Sequence, residues 1–271
     1  MVTLTWRYPF TFVILLLLLA GSGCQPLIPQ RDGWQLIWHD EFDGEALDPQ
    51  NWTYDIGGDG WGNSELEYYT NRPENVRVAD GNLVIEARAE KYGGRQYTSA
   101  RLKSQYRQAW QYGRIEARIK IPRGQGIWPA FWLLGDNIDQ VGWPACGEID
   151  VMEVVGKEPA TVYGTMHGPI NGAHIGLGDA HSLPNGQLAD EYHLYAIEWE
   201  ADQIRWYLDD INYFTGTAAE FGGDWVFDHP HFLLLNIAVG GNWPGSPNRT
   251  TLFPQQMLVD YVRVYQRATA N

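Results

Sequence analysis

The sequence predicts an all-β protein built as a sandwich of two curved antiparallel sheets. Three observations lead to this prediction. Hydrophobic and polar residues alternate with a period of two along most of the chain. Clusters of Gly, Pro, Asn and Asp separate the alternating runs, and 30 Gly and 15 Pro in 271 residues supply the turns. No long segment keeps a helical period, which excludes a large helical domain.

Two runs show the strand pattern most clearly. In 112–121, four aliphatic residues alternate with charged ones, which predicts a strand with one buried and one solvated face. In 203–209, Ile204, Trp206 and Leu208 alternate with polar residues in the same way. The other predicted strands are 35–38, 82–89, 99–104, 131–134, 148–155, 161–167, 193–199, 231–239 and 257–266. So many short strands, with bulky residues on both faces, favour two stacked sheets.

Composition limits the partners that the chain can have. Lys+Arg 19 against Asp+Glu 33 gives a net charge of −14, so we expect no nucleic-acid partner and a neutral polysaccharide rather than a strongly anionic one. The 13 Trp are unusual for a core of this size. Flat rings at a surface suit sugar rings, and the alternative is that each Trp fills a bulky β-core.

The N-terminal segment has the pattern of an export signal. Arg7 is the only charged residue before position 24, and the apolar run 12–20 is followed by three small residues and Cys24. This run is short for a membrane span. We predict a signal peptide at 1–23, a tether at 24–33 and one folded domain at 34–268. Lipidation of Cys24 would give a bacterial cell-envelope lipoprotein, and cleavage near Gly23 without lipid would give a secreted or periplasmic protein. The other cysteine, Cys146, is predicted to be a buried, inert thiol.

The segment 147–156, GEIDVMEVVG, contains three carboxylates within six residues of an otherwise apolar strand. In a regular strand Glu148 and Asp150 share a face, whereas Glu153 points into the apolar layer. An unpaired carboxylate there would cost on the order of several kcal/mol. One extra residue in a β-bulge near Val151 and Met152 returns Glu153 to the face of the other two carboxylates, so we predict a bulge there.

Three carboxylates on one sheet face repel one another, and this repulsion separates their pKa values. One carboxyl can then remain an ionised nucleophile while another remains a protonated acid, as a retaining glycosidase requires. The alternative interpretation is a metal-binding or merely solvated acidic face.

The motif formed by Glu148, Asp150 and Glu153 resembles the E-x-D-x-x-E active-site pattern of glycoside hydrolase family 16. It is similar to the bulged branch that contains laminarinases, the endo-β-1,3-glucanases. Further segments are similar to family segments in the same order, and they extend the resemblance over essentially the whole domain: 38–42 (WHDEF), 60–66 (GWGNSEL), 112–118 (YGRIEAR), 128–134 (WPAFWLL) and 236–245 (NIAVGGNWPG). The resemblance implies a concanavalin-like β-jelly roll with a substrate cleft on its concave face.

The resemblance also implies a reaction, which is hydrolysis by double displacement with retention of configuration. It implies that Glu148 is the nucleophile, that Glu153 is the acid/base and that Asp150 tunes the nucleophile by hydrogen bonding. The expected function is that of an endo-β-1,3-glucanase acting on laminarin-type β-glucans. A non-catalytic glucan-binding protein on the same fold, a transglycosylase, and a hydrolase of mixed-linkage glucan or agar are the alternatives.

Seven substrate-binding residues are implied in the same way: Asn63, Glu65, Arg101, Trp128, Trp132, His167 and Trp243. Each of the first six has a structural alternative. For Asn63 and Glu65 the alternative is a role in forming the Gly-rich turn. For Arg101 it is a solvated charge at a strand end. For Trp128 and Trp132 it is packing in the core, and for His167 an ordinary structural role. Trp243 lies in a Gly-rich loop, which suggests close approach of a ligand. His167 is expected near Glu148 if the acidic strand and the next one form a hairpin.

The resemblance further implies a structural calcium on the convex side, with Glu41, the Gly81 carbonyl and Asp260 at the matching positions. The alternative is that these carboxylates are ordinary surface charges. We expect no cofactor for catalysis, and His229 and His231 lack the nearby third ligand that a zinc site needs. We also expect a monomer that contacts a membrane only through an N-terminal lipid.

Overall fold

Strands dominate the computed structural model of the protein, which describes residues 1–2, 31–222 and 224–268. Two single-turn helices, α1 (Ile138–Val141) and α2 (Ala218–Phe221), interrupt them. The strands are β1 (Trp34–Asp40), β2 (Thr53–Asp55), β3 (Glu67–Tyr69), β4 (Val76–Ala79), β5 (Asn82–Tyr92), β6 (Arg95–Ser99), β7 (Arg101–Lys103), β8 (Gly113–Lys120), β9 (Ile127–Gly135), β10 (Glu148–Glu153), β11 (Thr161–Ile170), β12 (Ala173–Ser182), β13 (His193–Trp199), β14 (Gln203–Leu208), β15 (Ile211–Thr217), β16 (His231–Val239) and β17 (Gln255–Arg267).

These strands form two sheets. The 10-stranded sheet has the order β15-β14-β13-β8-β17-β5-β6-β3, with β1 beside β17 and β4 beside β5. The 7-stranded sheet has the order β12-β11-β10-β9-β16-β7-β2. Among the described strands, the pairs are antiparallel except for β3 with β6. The predicted all-β sandwich of two antiparallel sheets is therefore confirmed.

The hydrophobic core lies between the two sheets. Inward side chains of β8, such as Ile115 and Ile119, are fully buried in one cluster with Ile149 of β10 and Leu235 of β16. Burial of such a side chain stabilises the fold by about 1.5–3 kcal/mol. Because β10 uses one face for this core, its other face is free to carry polar groups toward solvent.

The strand predictions differ from the structure where a strand leaves one sheet for the other. The predicted strand 99–104 is wrong as a single element, since Ser99 ends β6 and Arg101 begins β7 in the other sheet. Ala100 is fully buried at this crossing, so its hydrophobicity continued the alternating pattern through the break. Strand β12 was not predicted, because it is mostly exposed and contains glycines in place of an alternating apolar face.

The N-terminal predictions fall largely outside the described residues. The predicted signal peptide at 1–23 is described only at its first two positions, and Cys24 and most of the tether at 24–33 are not described. Arg31, near the end of that tether, forms an ion pair with Glu116 at 2.9 Å, and Arg31–Asn271 form one compact unit. Within the described ranges, no helix has the length and hydropathy needed to cross a membrane.

Candidate active site

The acidic strand β10 contains the predicted β-bulge. Its pairing with β11 runs in register as far as Asp150 and resumes at Glu153. Its pairing with β9 shifts between Asp150 and Met152. The extra residue returns Glu153 to the face of Glu148, so the three carboxyls line one cavity. Val151 and Met152 are both fully buried in the core, which is the physical reason for the bulge.

The cavity has a volume of about 620 Å³ and lies over the outer face of the 7-stranded sheet. Strands β9, β10, β11 and β16 supply its floor, and loops supply its walls. The structure brings all the predicted catalytic and substrate-binding residues to this cavity: Glu148, Asp150, Glu153, Asn63, Glu65, Arg101, Trp128, Trp132, His167 and Trp243. Their roles toward a substrate stay predictions.

The carboxyl of Glu148 lies at the start of β10 and receives one strong hydrogen bond. The indole Nε1 of Trp143 donates to its Oε2 at 2.6 Å. Burial, followed by the charge of Asp150, raises the pKa of Glu148 to about 8, although His167 and the Trp143 donor lower it. Trp143 and His167 therefore favour the ionised form of Glu148, whereas burial and Asp150 favour the protonated form.

The carboxyl of Glu153 lies at the other end of the strand. The indole Nε1 of Trp128 donates to its Oε1 at 3.0 Å. Burial, followed by the charges of Asp150 and Glu148, raises the pKa of Glu153 well above its usual range. Like charges this close do not all ionise, so their repulsion favours the protonated form of Glu153.

Asp150 lies between these two carboxyls and contacts both Glu148 and a histidine. Burial raises the pKa of Asp150, while a hydrogen bond with Glu148 lowers it. The Nε2 of His167 lies 3.2 Å from Oδ2 of Asp150. Glu148 and His167 are register partners in β10 and β11, so the predicted hairpin placement is confirmed. His167 also pairs through Nδ1 with Nε2 of His174, at 3.0 Å.

The alternative interpretation of these acidic groups is that they bind a metal ion. Among the described residues, one ligand atom each from Glu148, Asp150 and His167 lies within 4.8 Å of the others. Burial raises the pKa values of both carboxyls, so protons compete with a metal ion for their oxygens near neutral pH. Metal ligands must be deprotonated, so this cluster is better suited to proton transfer than to cation binding.

Aromatic rings form the walls of the cavity on both sides of the carboxyls. Trp128 packs edge-on against Trp243 with ring centroids 5.4 Å apart. Tyr163 packs against the same Trp243 ring at 5.1 Å. These tryptophans are partly exposed to the cavity, which argues against a purely structural role in the core.

On the other side, Arg101 of β7 lies between two tryptophan rings. Its guanidinium is 4.6 Å from the centroid of Trp132 and 5.0 Å from that of Trp61. Its Nε lies 3.0 Å from Oδ2 of Asp55. Arg101 is therefore not the solvated strand-end charge that was its structural alternative.

Among the lining residues that were not singled out from the sequence are Trp61, Trp143, Tyr163, His174 and Asn236. Trp143 could have been noticed, because it is a tryptophan five positions before Glu148. Trp61 lies in the Gly-rich turn that supplied Asn63. The other three reach the site only through strand pairing, for which a single sequence gives no direct signal.

The three positions implied for calcium lie on the side of the 10-stranded sheet. Glu41 follows β1, Gly81 lies in the turn between β4 and β5, and Asp260 belongs to β17. The Glu41 carboxylate accepts hydrogen bonds from Arg263 at 2.9 and 2.7 Å. Asp260 accepts one from Arg118 at 2.7 Å. A calcium ion would compete with Arg263 for both oxygens of Glu41, and the calcium site stays a prediction.

The remaining cysteine prediction concerns Cys146. Its thiol is free and fully buried. Burial, together with the charge of Glu148, raises the pKa of Cys146 to about 11. The predicted burial is confirmed, and the raised pKa agrees with the predicted inert role, since the thiolate is the nucleophilic form.

A β-sandwich whose cleft holds three carboxyls between tryptophan rings defines a carbohydrate-hydrolysing class of protein. The family model described as glycosyl hydrolases family 16 matches residues 63–263, and the chain belongs to this family. The chain is 45% identical over 260 residues to a β-glucanase from Rhodothermus marinus, and the match covers 90% of this chain and 91% of the relative.

Two solved structures are similar along nearly their whole length. The laminarinase catalytic domain from Thermotoga maritima is 49% identical, with a TM-score of 0.82, and the match covers 88% of this chain and 100% of that one. The endo-β-1,3-glucanase from Pyrococcus furiosus is 45% identical, with a TM-score of 0.83, covering 91% and 100%. The jelly-roll fold that the sequence resemblance implied is the fold of this chain.

Proposed function

We propose that this protein is a retaining endo-β-1,3-glucanase that hydrolyses laminarin-type glucans. One observation carries the proposal: the bulge of β10 presents Glu148, Asp150 and Glu153 together to a cleft walled by aromatic rings. Membership of family 16 and the high identity to a β-glucanase and two endo-β-1,3-glucanases support the reaction class.

In the first step, Glu148 attacks the anomeric carbon of the bound sugar. The bond between that carbon and the glycosidic oxygen breaks, and a covalent bond to a Glu148 oxygen forms. Glu153 gives its proton to the departing oxygen, which suits a carboxyl whose pKa is raised well above its usual range. The Trp143 donor stabilises the ionised form of Glu148 that this attack requires.

In the second step, water replaces the departed chain. Glu153, now ionised, takes a proton from the water while the water oxygen attacks the anomeric carbon and releases Glu148. Asp150 has a carboxyl oxygen within 4.8 Å of one of Glu148 and lies 3.2 Å from the His167 imidazole. It can therefore hold a proton close to Glu148 while the nucleophile changes between its free and bonded forms.

The cleft suits a neutral glucan. Its walls offer the flat rings of Trp128, Trp132 and Trp243, and the carboxyls at its floor oppose the binding of sulfated or otherwise anionic chains. The net charge of the whole chain, −14, acts in the same direction.

The proposal predicts short β-1,3-linked oligosaccharides from laminarin. The measurement is product analysis on laminarin, barley mixed-linkage glucan and agarose, with and without an added acceptor sugar. Glu148→Ala removes the nucleophile and should lower the rate on the order of 10⁴-fold or more. Glu153→Gln removes the acid and should lower it by about 10²–10⁴-fold.

Both variants must remain folded at the assay temperature, as a cooperative melting transition above it shows, for this comparison to hold. Near-wild-type turnover by Glu148→Ala would rule out the assigned nucleophile. Retained laminarin binding with no products from any polymer, even for the wild type, would indicate a glucan-binding protein. Longer products with an acceptor sugar would indicate transglycosylation.

We also propose that the chain is exported and carries a lipid on Cys24. The apolar run 12–20, the small residues after it and the cysteine support this proposal. Mass spectrometry of the mature protein should find an N-terminal cysteine bearing acyl chains. Cys24→Ser should move the protein from the membrane fraction to the soluble fraction, and an unchanged distribution would contradict lipidation.

A further inference from the structure

A second pair of buried carboxyls lies behind the wall of the cleft, away from the catalytic strand. Glu67 of β3 is fully buried, and Glu65, which precedes the strand, is 4% exposed. The two carboxyls lie close enough for the charge of Glu65 to act on Glu67. Oε1 of Glu67 is buried and has no hydrogen-bond partner among the described residues. Two carboxylates in such contact would repel strongly, so the pair must hold a proton.

The hydrogen-bond donors show which carboxyl holds this proton. Glu65 accepts from Nδ2 of Asn63 at 3.1 Å and from the Tyr69 hydroxyl at 2.9 Å. Glu67 accepts only from the backbone N–H of Val239, at 2.6 Å. Because Glu65 accepts from more donors, a proton held by the pair belongs on Glu67, whose buried Oε1 is free to donate it to the neighbouring carboxylate.

This pair is linked to the cleft by a continuous series of hydrogen bonds. The Trp132 indole donates to Oδ1 of Asn236 at 2.8 Å, and Nδ2 of Asn236 donates to the Tyr69 hydroxyl at 3.2 Å. Tyr69 then donates to Glu65. All donors in the series point toward the Glu65 carboxylate, which also holds Asn63. Trp132, Glu65 and Asn63 all line the cavity, whereas Glu67 does not.

Few charged groups surround Glu67. Glu65 is the carboxyl beside it, and Tyr69 lies on the same strand. Tyr97 is its register partner in β6, and β16 contributes the backbone of Val239. The charge of Arg101 acts on Tyr69. Burial, followed by the charge of Glu65, raises the pKa of Glu67 well above its usual range, in agreement with the donor pattern.

We propose that Glu67 is a positioning residue that remains protonated, donates to Glu65 and thereby fixes Asn63 and Trp132 for glucan binding. This inference rests on the proposed glucanase function for its kinetic test only. Loss of the proton would place two carboxylates in contact and disturb the series that holds the two cleft residues. Substrate affinity, rather than the chemical step, therefore depends on this proton.

The kinetic test compares KM and kcat on laminarin for Glu67→Ala and Glu67→Gln. Glu67→Ala removes the donor and should raise KM about tenfold while kcat changes much less. Glu67→Gln keeps an N–H donor toward Glu65 and an oxygen for Val239, so it should restore KM. In the wild type KM should rise at alkaline pH, where Glu67 loses its proton. In Glu67→Gln it should stay flat, since glutamine does not titrate.

Glu86 offers a matched control, because it is 3% exposed but ion-paired with Arg77 in the 10-stranded sheet. Glu86→Ala should lower the melting temperature and leave KM unchanged. Infrared difference spectra, wild type minus Glu67→Gln at pH 7, should contain a protonated-carboxyl band. This readout needs neither activity nor the alanine variant.

A KM raised equally by alanine and glutamine would show that Glu67 acts as an anion and would overturn the proposal. The absence of the infrared band, or identical pH profiles of KM for wild type and Glu67→Gln, would overturn it as well. If the wild type does not hydrolyse laminarin, the proposed function fails, and the infrared band still decides whether Glu67 carries the proton.

Discussion

Among single residues, Trp143 has the most direct effect on the proposed nucleophile. Its indole hydrogen bond to Glu148 opposes the burial and the Asp150 charge that raise the pKa of this carboxyl. A hydrogen bond to a charged group contributes about 1.5–3 kcal/mol, and one pKa unit corresponds to about 1.4 kcal/mol. The contact is therefore strong enough to move the titration of Glu148 by about one unit.

Trp143→Phe should shift the acidic limb of the activity profile to higher pH. The variant keeps an aromatic ring but loses the donor, so the pKa of Glu148 rises further and a smaller fraction is ionised at a given pH. We expect the limb in kcat/KM to move by about one unit and activity at acidic pH to fall about tenfold. The measurement is kcat/KM on laminarin across the pH range in which the enzyme stays folded.

Trp243→Phe is the matched control, since Trp243 lines the same cavity and packs on Tyr163 and Trp128 without a hydrogen bond to Glu148. It should alter KM without moving the acidic limb. An acidic limb that moves equally in both variants, or in neither, would show that the Trp143 donor does not control the ionisation of Glu148.

At the scale of the element, the bulge of β10 reconciles a buried face with a polar one. Ile149, Val151 and Met152 are fully buried, so three residues between the carboxyls satisfy the core although strict alternation allows only two. The extra residue lets Glu153 face the cleft without placing a charge in the core.

Adding one more residue to the bulge should be far worse than removing one. With the bulge kept, a valine inserted between Met152 and Glu153 directs Glu153 into the apolar layer, which costs on the order of several kcal/mol. Without the bulge, Glu153 faces the cleft only if Met152 leaves the core and the pairing with β9 and β11 shifts by two residues. Deletion of Met152 instead gives a regular strand that keeps Glu153 on the cleft face. This deletion loses only a buried side chain, at about 2–5 kcal/mol.

Urea unfolding should therefore rank the wild type above the deletion and the deletion above the insertion. The deletion should retain activity above the Glu148→Ala background, and the insertion should not. Equal stability of the insertion and the deletion would contradict this account of the bulge.

The elements show why some strands could be predicted and others could not. The predicted run 203–209 became β14, because alternating apolar and charged residues reflect a buried and a solvated face. The bulge was predictable because a misplaced carboxylate has a known free-energy cost. By contrast, β12 forms mainly through backbone pairing with β11 and has no buried face that a sequence pattern could reveal.

The same distinction separates the site residues that the sequence predicts from those that it does not. The carboxyls of β10 were predictable because they are close in sequence and chemically unusual in an apolar strand. The pairing of His167 with Asp150 required only a hairpin. The Glu67 series was not predictable, since it joins β3 to β16, more than 160 positions apart in the chain, and only the folded jelly roll brings them together.

For the molecule as a whole, two groups of carboxyls give its stability opposite dependences on pH. Burial raises the pKa of Glu148 from 4.5 to about 8, so the folded state holds its proton more tightly than the unfolded state. Burial alone would also raise the pKa of Glu86, but hydrogen bonds from Arg77 and Gln256 outweigh it and leave this pKa lowered. Glu86 therefore stabilises the fold above its unfolded pKa, whereas Glu148 destabilises it as pH rises toward 8.

This opposition predicts that Glu148→Gln becomes more stable than the wild type as the pH rises from 5 to 8. Below about pH 4 the carboxyl is protonated in both the folded and unfolded states, so it contributes no pH-dependent difference. Toward pH 8 the unfolded wild type gains by ionising, whereas glutamine cannot ionise. We expect an advantage of at least about 1 kcal/mol at pH 8, or about 2–4 °C in Tm for a domain of this size.

Calorimetry of the wild type, Glu148→Gln and Glu86→Gln at pH 5 and pH 8 measures both signs in one experiment. Glu86→Gln should be less stable than the wild type at pH 8, because it loses the ion pair with Arg77. A Glu148→Gln variant that is no more stable at pH 8 than at pH 5, relative to the wild type, would mean that Glu148 is not held protonated by burial. A growing advantage would show that the catalytic strand lowers the stability of the whole sandwich, as expected where like charges are kept together for chemistry.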